Sequence, residues 1–112
     1  MTLTLYGLKT CDTCRKAQRA LQEAGKTVTF VDIREEADLA AKVPVWLEAA
    51  GSALVNKAST TWRGLSDAEK TAAEADPAAR LIASPTLIKR PVIEAEGAVH
   101  VGWKRPVQDA VL

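Results

Sequence analysis

Two cysteines occur in the chain, three positions apart, in the stretch Leu8-Lys9-Thr10-Cys11-Asp12-Thr13-Cys14-Arg15-Lys16. A pair so spaced can clip a metal, close a structural disulfide, pack as inert apolar groups, or act as a nucleophile with a second thiol one helical turn away. A structural zinc needs four suitable ligands, and beyond the thiols the chain offers a single histidine, His100, far along the sequence. No metal is therefore expected. The N-terminal MTLTLYGLKT has neither the charged region nor the apolar stretch of a secretory signal, so the expected location is cytoplasmic. Thiols stay reduced there unless they do redox chemistry, which disfavours a structural staple.

Cys11 stands where an extended segment gives way to helical periodicity. A thiol at a helix N-terminus faces unpaired backbone N–H groups and the positive end of the helix dipole, and both favour thiolate. The same donors can hold an oxyanion. Lys9 and Arg15 add positive charge, and Lys9, Thr10 and Arg15 are the loop and first-turn side chains expected to meet an anion. Cys14 is placed to attack a sulfur-bound adduct on Cys11. It also falls on the apolar stripe of the helix, so burial as a small core residue accounts for it too.

The elements that must position these thiols are legible from periodicity. Thr2-Leu3-Thr4-Leu5-Tyr6 alternates polar and apolar as a strand does, and Gly7 to Thr10 should break it. From Cys11 a helix is expected with Cys14, Ala17, Leu21 and Ala24 inward, Arg15, Gln18, Arg19 and Gln22 outward, and Gly25 as its stop. Val28 to Ile33 is β-branched and reads as a second strand, parallel to the first because a helix joins them. A helix over Val43 to Ala50 should end at Gly51, with Pro44 in its first turn or at a kink. Ser66-Asp67-Ala68-Glu69 is a capping box, and Asp76-Pro77 is a cap followed by a first-turn proline. Pro91 to Glu94 and Ala98 to Val101 flank Glu96-Gly97 as a hairpin, and Pro106 to Leu112 closes the chain as a helix. Strand, helix, strand, a helical segment, two strands and a helix fit one domain of 112 residues. Apolar residues at 47% and charged residues at 26% are those of an ordinary globular protein. A net charge of +1 gives no field to attract nucleic acid or an anionic membrane, and no apolar run is long enough to span one.

Cys11-x-x-x-Arg15, Thr60-Thr61-Trp62-Arg63, Ile88-Lys89-Arg90-Pro91-Val92-Ile93 and Val101-Gly102-Trp103, in this order, resemble the arsenate reductase (ArsC) family across essentially the whole chain, most closely its small bacterial ArsC-like branch. The resemblance implies a thioredoxin-like (glutaredoxin-like) α/β fold: a mixed four-stranded sheet with a helical insertion between strands two and three. It implies Cys11 as nucleophile toward an oxyanion or a glutathione-type mixed disulfide. No bound cofactor is implied; glutathione is the expected co-substrate, and glutaredoxin a potential partner. Arg63, Arg90 and Arg105 would stabilise the anionic adduct, and Pro91 would be a cis-proline facing the cysteine. Two positions depart from the pattern: Gly7 stands where arsenate reductases carry histidine, and Cys14 where they usually carry serine. The second departure allows a Cys11–Cys14 disulfide, as in the related Spx-type regulators, which bind RNA polymerase. A redox-sensing regulator of that type is the rival expectation. Trp46, Trp62 and Trp103 are expected to be core residues, and His100 a strand residue without a catalytic part.

Overall fold

The computed structural model describes residues 2–112. Asp38–Lys89 forms one compact unit, and the described residues on either side of it form the other. The flanking unit holds the sheet. Strands β1 (Thr2–Gly7), β2 (Thr27–Asp32), β3 (Val92–Ala95) and β4 (Ala98–Val101) lie in the order β2-β1-β3-β4. β1 runs parallel to β2, while β3 is antiparallel to both β1 and β4. This mixed sheet, with helix α1 (Asp12–Glu23) between β1 and β2 and α6 (Arg105–Val111) after β4, is the thioredoxin-like, glutaredoxin-type fold.

β1 is central, and its alternation sorts its side chains between two faces. Leu3, Leu5 and Gly7 share one face. Leu3 and Leu5 join Ile93 and Ala95 of β3, Cys14, Ala17 and Leu21 of α1, and Val111 of α6 in one buried cluster. Cys11, Val28, Phe30, Trp103 and Val107 pack at its edge. Leu5 sets the register, opposite Phe30 on one side and Ile93 on the other. On the other face the Tyr6 hydroxyl donates to Glu94 Oε1 at 3.0 Å, tying β1 to β3.

The helix stripe is shorter than its periodicity suggested. Cys14, Ala17 and Leu21 are buried, but Ala24 is exposed. The helix ends at Glu23, where Lys26 N–H bonds the Leu21 carbonyl and Gly25 N–H the Gln22 carbonyl, both at 3.0 Å. That crossed pair is a Schellman closure, and it needs the left-handed backbone that Gly25 supplies at φ 83°. β1 also runs one residue further than its alternation suggested, because Gly7 still pairs with Asp32.

The other unit is helical, with α2 (Leu39–Ala50), α3 (Thr60–Arg63), α4 (Asp67–Ala75) and α5 (Pro77–Ala83), and no strand among its described residues. Val55 and Ile88 form an isolated bridge. The capping box at Ser66 is present: its Oγ accepts from Glu69 N–H at 3.1 Å, and Glu69 Oε1 accepts from Ser66 N–H at 3.0 Å. Asp76 caps α5 by accepting from Ala79 N–H at 3.2 Å. α2 begins earlier than Pro44 suggested, at Leu39, and so carries proline in its second turn. Asp38 accepts from Ala41 N–H at 3.3 Å and starts a run of good helix formers. Proline forfeits one bond, to the carbonyl of Ala40, and both residues lie at the exposed surface where water can serve that carbonyl. Trp46 and Trp62 are buried in this unit, while Trp103 is half-buried in the sheet unit. No described helix is long and apolar enough to cross a membrane.

Because Leu5 is fully buried at the junction of three strands and α1, Leu5→Ala should lower unfolding stability by about 2–5 kcal/mol. Leu112→Ala, at a residue 49% exposed, should change it by less than about 0.5 kcal/mol. Urea unfolding followed by circular dichroism checks both, and equal effects would displace Leu5 from the core.

Candidate functional site

Cys11 is the N-cap of α1, with extended backbone at φ −84° and ψ 117°. Its own N–H is closed onto the Leu8 carbonyl at 3.0 Å, and its carbonyl accepts from Arg15 N–H at 3.0 Å. The side chain is thus held at the mouth of the helix, half-buried, while the thiol of Cys14 one turn on is fully buried. Both thiols are free.

Their environments drive the two protons in opposite directions. Burial opposes ionisation of Cys11. It is outweighed by the Cys14 backbone N–H, the Cys14 thiol, the Arg90 guanidinium and the Thr13 backbone N–H, and Cys11 ionises below the ordinary thiol value of 9.0. Cys14 is pushed up to about 12, first by burial and then by the hydrogen bond and charge of Cys11, against the opposing pull of Leu8 N–H and Arg90. At a pH between the lowered value of Cys11 and that of Cys14, the pair is a thiolate on Cys11 accepting from a protonated Cys14.

Arg90 is the cation that acts on both sulfurs. Its Nη1 is buried and has no hydrogen-bond partner among the described residues. Most buried polar groups are paired, so this donor is an exception that a bound anion would satisfy. The Arg90–Pro91 peptide is cis, as the resemblance implied. Pro91 is buried, and its carbonyl accepts from Gly102 N–H at 2.8 Å. Gly102 can turn there because it takes φ 85°. Trp103, next in sequence, packs at the edge of the core and offers its carbonyl to Gln108 Nε2 at 2.8 Å.

Cys11, Cys14 and Arg90 are brought together, with Pro91 adjoining. Of the other candidate residues, three arginines have partners of their own. Arg15 donates from Nη2 to Asp12 Oδ1 on the exposed side of α1. Arg105 Nε donates to Asp109 Oδ1 at 3.2 Å along α6. Arg63 lies in the helical unit, exposed, and its Nη2 donates to the Ala58 carbonyl at 2.6 Å. Lys9 and Thr10 are exposed and line a shallow hollow of about 190 Å³ with Leu8, Asp32, Arg34 and Glu35. His100 lies in β4 opposite Ile93. Among the described residues no group of three or more His, Cys, Asp or Glu could hold a metal ion.

Gly7 was legible from the local pattern as a break between strand and helix, and from the resemblance as the place of a histidine. It is instead the residue beneath the Cys14 sulfur, since a Cβ built on it would lie 2.5 Å from Cys14 Sγ. The signal in the sequence was the third inward place of β1, after Leu3 and Leu5.

A thioredoxin-like sheet with a CxxC pair at the start of its first helix and a cis-proline before β3 defines the class. The chain belongs to the ArsC family, whose model matches residues 6–109. An uncharacterised protein of Haemophilus influenzae is 36% identical over 103 residues, covering 90% of each chain. Among solved structures, the YffB (PA3664) protein is 35% identical with a TM-score of 0.87, covering 98% of each chain. An arsenate reductase (ArsC) related protein from Brucella melitensis is also 35% identical, with a TM-score of 0.78, covering 98% of this chain and 93% of that one.

Unequal protonation has a measurable effect on stability. Because Cys14 holds its proton to about 12 when folded but releases it near 9.0 when unfolded, the unfolded state is favoured increasingly as pH rises between those values. Cys11 has the opposite sign: the stability it contributes is present above 9.0 and is lost as pH falls through its lowered folded value. The stability difference between wild type and Cys14→Ala should therefore shrink as pH rises above 9.0. Urea unfolding of both from pH 8 to pH 10.5 tests this, and a constant difference would contradict a buried, protonated Cys14.

Proposed function

We propose that the chain is a thiol-dependent reductase in which Cys11 attacks either a small oxyanion resembling arsenate or a glutathione-type mixed disulfide. The observation that carries the reading is the buried, unpartnered Nη1 of Arg90 beside the lowered thiol of Cys11: a nucleophile with an anion-binding donor at its side. Family membership and the similarity to an arsenate reductase (ArsC) related protein support the same chemistry.

With a mixed disulfide, the Cys11 thiolate forms a bond to the glutathione sulfur. The original S–S bond breaks, and the other sulfur leaves as thiolate with the bonding pair. Incoming glutathione, free or carried through glutaredoxin, can then attack the adduct, giving glutathione disulfide and returning Cys11 as thiolate. Alternatively Cys14 attacks Cys11 Sγ, loses its proton, expels glutathione and leaves a Cys11–Cys14 disulfide. With an oxyanion, Cys11 displaces one oxygen, which departs as water after protonation. Attack of a second thiol on Cys11 Sγ then releases the central atom reduced by two electrons. In either route Arg90 stabilises the anionic adduct through paired N–H donors, and the helix-start N–H groups of Thr13 and Cys14 hold negative charge on the sulfur. Cys14 keeps its proton while Cys11 is charged. Burial raises Cys14 most and the Cys11 thiolate raises it further; once Cys11 carries an adduct that second contribution is gone, so Cys14 becomes easier to ionise.

A panel of reductase assays with arsenate and with glutathione mixed disulfides, each with and without glutaredoxin, tests the reading. Cys11→Ser should abolish turnover of every substrate. Cys14→Ser should still form the adduct on Cys11, visible by mass spectrometry, and should turn over when glutathione is supplied if an external thiol resolves it. Adducts found on Cys14 rather than Cys11 in the wild type would reverse the assignment.

Arg90→Lys keeps the charge but loses the planar pair of donors. Sulfate affinity measured by calorimetry should fall by about 1–3 kcal/mol, roughly 5- to 150-fold in Kd, with the circular dichroism spectrum unchanged. Wild-type affinity in that variant would remove Arg90 from the anion site.

A further inference from the structure

The inward face of β1 runs Leu3, Leu5, Gly7, so its third position carries no side chain. Gly7 does not have a positive φ, and its backbone therefore does not call for glycine. Space does. A Cβ at Gly7 would come within 2.5 Å of Cys14 Sγ, 3.1 Å of Cys14 Cβ and 3.4 Å of Leu5 Cδ2. Neither backbone is free to retreat. Gly7 is paired with Asp32 and its carbonyl accepts from Ile33 N–H at 2.9 Å, while the start of α1 is pinned by the Cys11 N–H bond to the Leu8 carbonyl at 3.0 Å. The atom that can move is the Cys14 sulfur, by rotation about its Cα–Cβ bond. Turning it off its present rotamer changes the geometry in which the Cys14 thiol donates to Cys11.

We propose that Gly7 is a positioning residue for the thiol pair: by leaving the third inward place of β1 empty, it seats Cys14 Sγ beside Cys11 and so keeps the second thiol as hydrogen-bond donor to the first. The assignment rests on the reading of Cys11 as the nucleophile, but it concerns the free pair and needs no substrate to be known. Any side chain at position 7 acts on Cys11 only through the Cys14 sulfur.

The test is the pH profile of iodoacetamide alkylation at each cysteine, read by peptide mass mapping in wild type, Gly7→Ala, Cys14→Ala and the double variant. In Gly7→Ala, Cys11 loses a donor to its thiolate, so its profile should move to higher pH and its rate at pH 6 should fall about tenfold. Cys14, fully buried in the wild type, should become alkylatable without denaturant. In the Cys14→Ala background, adding Gly7→Ala should leave the Cys11 profile where Cys14→Ala alone puts it. A Gly7→Ala profile identical to wild type overturns the proposal, as does an equal shift in both backgrounds, which would mean that position 7 acts through the backbone. If Gly7→Ala does not fold, the double variant decides: it lacks the 2.5 Å overlap and keeps a 3.1 Å approach between Cβ atoms and an ordinary 3.4 Å contact with Leu5 Cδ2, so it should fold. Failure to regain the fold overturns the proposal. A wild-type Cys11 that alkylates no earlier in pH than a free thiol would instead defeat the reading of Cys11 as nucleophile, so the two failures are distinct.

Discussion

Where α1 begins, its first turn lies directly against the end of β1, and the arrangement of the thiols depends on that close approach. A helix packed on a sheet normally keeps its distance by the side chains between them, as Leu21 and Ala17 do over Leu3 and Leu5. At Gly7 nothing stands between, and a sulfur fills the gap. The result is a second cysteine that is fully buried yet within reach of a half-buried one. The Schellman closure at Gly25 and the parallel pairing of β1 with β2 fix the far end and the flank of the same helix, so the approach is set from both ends.

Electrostatics then separates two residues of identical chemistry. Cys11 gathers the unpaired N–H groups of the helix start, while Cys14 lies one turn inside, where burial dominates. Arg90 reaches the pair from the other side of the chain, just ahead of Pro91, whose carbonyl is tied to Gly102. One long-range cation thus serves where Lys9 and Arg15, the sequence neighbours, do not. Arg15 has a partner in Asp12, an i, i+3 acid on the same helical face, and Lys9 points into a solvated hollow.

Most of the fold was legible because its boundaries are written in residues with strong local preferences. The capping box at Ser66, the Asp76-Pro77 start and the Glu96-Gly97 turn each lie where their chemistry placed them. Pro44 misled, since a single lost hydrogen bond at an exposed position weighs less than a good cap and a run of alanines. Ala24 misled because periodicity does not say at which turn a helix stops. The place of Cys11 at the mouth of α1 was legible from the strand-to-helix junction. The need for glycine at position 7 was not, because it comes from a residue in another element, and only the pairing of a strand face with a helix face exposes it.

The opposite protonation of the two cysteines has a consequence for electron transfer. Joining two protonated thiols releases two electrons and two protons, and the reduction potential of such a couple falls by about 59 mV for each pH unit. Here one sulfur has already given up its proton over the window between the lowered value of Cys11 and the value near 12 of Cys14. Forming a disulfide from this pair then releases a single proton with the two electrons, and the potential falls by only about 30 mV per pH unit. The driving force of such a couple is half as sensitive to the acidity of its surroundings as that of a dithiol in which both sulfurs are protonated.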